Sequence, residues 1–183
     1  MDIDNGWQKR ASGLLVPEAA GLIRGAGRWS GKIIRAGEVI DEFDVKNLVV
    51  NEGLNYILNA GLGNGTVITT WYVGLFSGNY TPLSTDTAAT IASNATEVTA
   101  YSAGVRQTWT PVSASSQSIT NSASQASFTF NNTVTVYGAF LVSTSTISGT
   151  SGKLFSAAQF SASKSVVSSD QLLLTYTFTA ASA

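Results

Sequence analysis

The chain has 183 residues, of which 10 Lys+Arg and 11 Asp+Glu make only 11% charged, where soluble domains carry about 25%. It contains no Cys and no His. That excludes disulfides, thiolate or imidazole metal sites, a Cys nucleophile and the commonest general base, and with them most enzyme classes. A net charge of −1 and a pI near 5.3 leave no electropositive footprint for nucleic acid or anionic lipid.

At this length a single domain removes roughly 70% of its unfolded surface from water, so a core without metal or disulfide support is expected. The longest apolar runs, such as Leu172-Leu173-Leu174, fall far short of the ~20 residues that span a bilayer. The opening Met1-Asp2-Ile3-Asp4 lacks the basic and apolar regions of a signal peptide. The expectation is no membrane partner and synthesis in a cytoplasm.

Residues 1–28 show no clean period of 2 or 3.6. Gly6, Gly13, Pro17, Gly21, Gly25 and Gly27 interrupt every apolar cluster, which predicts an extended N-terminal arm, expected to cover 1–29. The arm nevertheless carries Trp7, Leu14, Leu15, Leu22 and Trp29, with Arg24 and Arg28 beside them, more apolar surface than a free tail leaves in water. These seven residues are the candidate partner-binding set.

A β-sandwich domain is expected over 30–183. Lys32–Arg35 and Glu38–Val45 alternate around Ala36-Gly37, predicting a β-hairpin. A short helix follows near 51–60, with Leu54, Ile57 and Leu58 at i, i+3 and i+4, Asn51 as N-cap, Glu52 at the positive start and Gly61 at the C′ position. Beyond Glu52 the chain holds 43 Ser and Thr in 131 residues but only six charges, a composition suited to pleated, half-buried surfaces. Strands are expected at Thr69–Phe76, Glu97–Tyr101, Arg106–Val112, Ser118–Thr120, Ala126–Phe130, Thr133–Val142, Lys153–Phe160 and Gln171–Thr179, with Thr133–Val142 central. Loops at Ser113–Gln117 and Ser143–Gly152 are expected to be mobile. The fold class is mainly β: an antiparallel β-sandwich or jelly roll with one short helix and an extended arm.

Chemical motifs are sparse. Ser161-Ala162-Ser163-Lys164 matches S-x-x-K but lacks the S-D-N and K-T-G partners that this chemistry requires. Asp41, Glu42 and Asp44 offer oxygen ligands, but alternation along a strand points neighbours to opposite faces, where Lys46 or Arg35 can neutralise them. Gly61-Leu62-Gly63-Asn64-Gly65 follows a helix instead of opening one, so it presents the wrong dipole end to a phosphate. Asp86 and Glu97 are the remaining carboxylate pair for a glycosidase. Trp71, Tyr72, Tyr80, Tyr101 and Trp109 suit either a core or a sugar platform, and the strand patterns around Trp71 and Trp109 favour the core. No enzyme and no cofactor are expected. With so little charge to keep single molecules apart, much of the surface is expected to be covered by neighbours.

One stretch adds to this. Gly31-Lys32-Ile33-Ile34, Glu38-Val39-Ile40, Asn47–Leu58, Trp71–Phe76 and Asn79-Tyr80-Thr81-Pro82 together resemble the capsid decoration, or cement, proteins of tailed bacteriophages. The resemblance is strongest over 31–82 and looser over 30–180. It implies a homotrimeric, jelly-roll or sandwich virion structural protein on the capsid surface, made in the host cytoplasm, that clamps neighbouring major capsid proteins. The alternative is a phage fibre or tail component that binds a host-surface glycan or receptor on the same β scaffold.

Overall fold

The computed structural model describes residues 7–9, 15–17 and 23–182, with side chains from Arg24 onward. Strands β1 (Trp7–Lys9) and β2 (Leu15–Pro17) pair with each other in antiparallel fashion. The body begins with β3 (Ile23–Arg35) and β4 (Glu38–Lys46), joined by Ala36 and Gly37 at φ 51° and 87°. Positive φ at both central residues matches the strand twist of a tight hairpin. The expected hairpin is therefore present, and its first strand is longer than expected.

This lengthening corrects the arm boundary. Residues 23–29, expected in the arm, are the first half of β3 and pair continuously with β12 (Gln171–Ser182), from Ile23 opposite Ser182 to Ile34 opposite Gln171. Gly25 and Gly27, two of the glycines that interrupt the sequence pattern, are packing positions; Gly6, Gly13 and Gly21 lie outside the described residues. The Phe178 ring lies 3.0 Å from where a Gly25 Cβ would sit, and Tyr176 with Asn47 crowds Gly27 in the same way. Alternate glycines on the inner face let large side chains from neighbouring strands cross β3.

Sequence order and sheet order then diverge. One sheet runs β4-β3-β12, with β8 (Ser118–Thr120) and β9 (Ala126–Thr129) sharing the far edge of β12. The other runs β5 (Leu48–Val49), β11 (Leu154–Val166), β10 (Val134–Val142), β6 (Trp71–Phe76), β7 (Gln107–Trp109). All pairings are antiparallel. Between the two sheets lies one core: Trp29, Ile33, Phe128, Leu172, Leu174 and Tyr176 meet Val73, Leu75, Val136, Leu141, Phe155 and Phe160. The architecture is an antiparallel β-sandwich, as expected; the strand order does not establish the jelly roll.

β10 is central, as its apolar run predicts, and is covered on both faces. Phe140 and Val142 face away from the main core and, with Phe76, Leu154 and Ala157, meet Val50, Ala88, Ile91 and Ala95. The connection that closes this second core carries a short helix, α2 (Ile91–Asn94), which the aperiodic Ala/Thr/Ser sequence does not announce. The β6–β10 register places Gly74 opposite Phe140 and Gly138 opposite Phe76. Each ring lies over the glycine across from it, where a Cβ would collide with the ring.

Other expectations need correction. Glu97–Tyr101 forms only two isolated bridges, Phe76 to Glu97 and Tyr101 to Phe130, because Thr96 sits at φ 57° and the Glu97 side chain turns inward to an arginine. β11 runs on past Phe160 to Val166: Val136 pairs with Lys164 but Gly138 with Gln159, so four residues of β11 bulge against one of β10. The helix α1 (Asn51–Gly61) has Val50, not Asn51, at the N-cap, and Gly61, expected at C′, is its last residue, with Leu62 at the C-cap.

Candidate functional site

The orientation of α1 builds the most distinctive surface of the sandwich. Gly53 packs directly on the Phe155 backbone, where a Cβ would collide with the carbonyl. Glu52, placed near the helix start where a carboxylate is favoured, accepts hydrogen bonds from the amides of Ala88 (2.9 Å) and Leu154 (2.7 Å), with Lys153 Nζ at 3.4 Å. Tyr56 stands edge-on to Trp71 at 5.1 Å and its hydroxyl accepts from the Ile68 amide at 3.0 Å. These three contacts select which helix face points inward: Gly53, Tyr56 and the half-buried Ile57.

Leu54 and Leu58, which share the apolar spacing with Ile57, therefore point outward. They are 44% and 57% exposed, and Leu62 at the helix end is 88% exposed. At i, i+4 and i+8 the three form one row. The row and Ile57 make one wall of an apolar groove of about 460 Å³, and Gly25, Phe178 and Ala180 make the other. The opposite flank of α1 borders a larger, polar cleft of about 700 Å³ lined by Asn51, Asn55, Asn59, Thr66, Ser84 and Thr85 among others. The sequence signal for the leucine row was Leu62, which continues the 54–58 spacing past the expected helix stop.

The candidate partner-binding residues separate into groups. Trp7 lies in β1 and Leu15 in β2, while the side chains of both, and Leu14 and Leu22 entirely, fall outside the described residues. Arg24 is exposed on β3. Arg28 pairs with Asp44 on the neighbouring strand. Trp29 is fully buried, its ring tilted by 39° against Tyr176 with centroids 4.6 Å apart. It is a core residue and is withdrawn from the partner-binding set.

Each charge beyond residue 52 has a polar partner. Asp86 accepts from the Tyr80 hydroxyl (2.9 Å), the Leu83 amide (2.8 Å) and Asn94 Nδ2 (3.2 Å); burial, reinforced by Asp86, raises the Tyr80 phenol above its ordinary range. Glu97 receives Arg106 Nε and Nη2 at 2.7 and 2.8 Å, and the Ser148 amide at 2.7 Å. Both side chains of this pair are at most 1% exposed. Arg106 also donates to the carbonyls of Thr144 and Gly149, and burial beside Glu97 drives the Tyr101 phenol upward. The loop 143–152, expected to be mobile, is thus fastened to a buried ion pair. Asp86 and Glu97 each serve as structural acceptors.

The remaining motifs resolve similarly. Lys164 of the S-x-x-K match lies in β11, donates to Asp41 at 2.9 Å and sits 4.6 Å over the Phe43 ring. Asp41 is thus neutralised by Lys164, and Arg35 instead grips Asp170 with two bonds of 2.9 and 2.7 Å. Those bonds hold the Asp170 carboxyl below its ordinary value. Gly61–Gly65 wraps back on α1 through amides donated to Leu58 and Asn59. Trp71 and Trp109 belong to the core, as their strand patterns predict, and Tyr101 joins them. Among the described residues no three carboxylates cluster as metal ligands, and no helix is long and apolar enough to cross a membrane. No protein-family model matches the chain, and no curated protein matches it.

Proposed function

We propose that this chain is a virion structural protein, a decoration or cement protein on the outside of a tailed-bacteriophage head, where it clamps neighbouring major capsid proteins as a homotrimer. The observation that carries the reading is the pairing of an ion-poor sandwich with an exposed leucine row beside the point where residues 1–22 join it. Apolar surface is worth about 25 cal/mol per Å² removed from water, so anchors such as Trp7, Leu14, Leu15 and Leu22 in a neighbour's groove contribute a few kcal/mol each. Arg24 sets orientation more than strength. Three such arms acting together convert modest single contacts into near-permanent attachment.

The test is co-sedimentation with undecorated heads. Deletion must stop at residue 22, because removal of 23–29 would take half of β3 and Trp29 with it. The shortened chain is expected to keep its β spectrum and lose the heads; undiminished attachment refutes the proposal. The polar cleft lined by Asn51, Asn55 and Asn59 favours the second reading, a fibre or tail component that holds a host-surface glycan. Selective retention of the protein on a glycan array, abolished by Asn55→Leu, would support it.

A further inference from the structure

We propose that the groove beside α1 is the docking site for the Leu14–Val16 stretch of a second copy of this chain. The proposal rests on the assembly reading above and names the partner of one part of the arm. The chemistry of the groove sets the occupant: its walls are Leu54, Ile57, Leu58, Leu62, Phe178 and Ala180 with two glycines, and no charged side chain lines it. Single exposed leucines are ordinary. A row of three along one wall of a concave surface is an apolar receptor, suited to an uncharged aliphatic segment and ill-suited to a charged peptide.

The chain supplies such a segment at the correct place. Gly25 pairs with Ala180 and Ile23 with Ser182, so the 22 residues before Ile23 join the body at the rim of the groove. Within them, Leu14-Leu15-Val16 lies in an uncharged stretch between Arg10 and Glu18, and its backbone from Leu15 is already a strand, β2.

Direction favours a sister copy over the same chain. β3 is extended at Ile23, where it pairs with Ser182 at the end of β12. The seven-residue step from Ile23 back to Val16 spans up to about 23 Å at strand rise, enough to reach a neighbouring molecule. To fill its own groove the stretch would have to reverse within residues 18–22. A head-to-tail contact of arm to groove, repeated about an axis, closes a ring, the symmetry that a homotrimer requires.

The native chain has no Cys, so engineered cysteines report without background. One tagged copy carries Leu15→Cys and a second, differently tagged, carries Leu58→Cys; the two are mixed without capsids and mildly oxidised. The expected result is a disulfide-linked heterodimer, at least tenfold more abundant than with Val112→Cys, an exposed position, in place of Leu58→Cys. A heterodimer no more abundant than that control overturns the proposal. So does a double variant that links only within one chain. In parallel, Leu58→Glu is expected to lower the assembly mass by light scattering with an unchanged circular dichroism spectrum; an unchanged mass also overturns it. Because both measurements use the protein alone, their failure is separate from a failure to bind heads.

Discussion

Removal of Glu97 isolates the energetic role of the buried pair. In Glu97→Leu, Arg106 would keep only the carbonyls of Thr144 and Gly149, at 3.1 and 3.3 Å, in a site where its side chain is 0% exposed. Two charge-assisted bonds of 2.7 and 2.8 Å are lost, as is the acceptor for the Ser148 amide. Stranding one member of a buried ion pair costs about 3–5 kcal/mol. For a chain of this size each kcal/mol moves the midpoint by about 2–4 °C, so Tm should fall by roughly 6–20 °C. Thermal and urea unfolding followed by circular dichroism measure both quantities. The double variant Glu97→Leu with Arg106→Met removes the stranded charge and should recover about half of the loss, since Ser148 and the two carbonyls still lack partners. A single variant within about 2 °C of the parent, or a double variant less stable than the single, would refute the argument.

Three further outcomes follow from the packing and the shifted groups. Gly74→Ala forces a methyl into the Phe140 ring and should cost about 1–3 kcal/mol by overpacking, less in a Phe140→Leu background; urea midpoints decide. The Asp170 carboxyl is held below its ordinary value, first by the Arg35 hydrogen bonds, so its contribution is complete above the unfolded value and is lost as pH falls below about 4. Urea midpoints measured down that acid limb should therefore drop less steeply in Asp170→Asn than in the parent. Burial pushes the Tyr176 phenol up to about 12; because its neutral form is favoured in the fold, that contribution is full below about pH 10 and lost above it. Phenolate absorbance, compared between the parent and Tyr176→Phe, should assign to Tyr176 an ionisation near pH 12, with Tyr101 held higher still, and a Tyr176 ionisation near pH 10 would count against the packed position.

What the sequence discloses divides along a physical line. Strand alternation is a local property, so the hairpin around Ala36-Gly37, the three-residue strand Ser118–Thr120 and the central position of β10 could all be read from it. What depends on a remote partner could not. The glycines of β3 look like breakers until Tyr176, Phe178 and Asn47 are seen crossing them. Leu54, Ile57 and Leu58 define an apolar helix stripe, yet the inward face was chosen by Gly53 against Phe155 and by Glu52 bound to two distant amides. The same holds for the partner-binding set: an arm with apolar anchors was legible, while the assignment of Trp29 to the core required β12. In a stretch with only six charges, each one is a signal of a specific partner, and loop 143–152 is held by such a pair.

The pairing of Ile23 with Ser182 gives the molecule two poles. The leader and the final strand emerge together at one, whereas the Ala36-Gly37 bend lies about 40 Å away at the far tip of the thirteen-residue strand β3. Cargo fused after Ala183 would therefore crowd the leader, and peptides meant for display belong at the opposite bend, where nothing lies within 4 Å of an added Gly37 side chain.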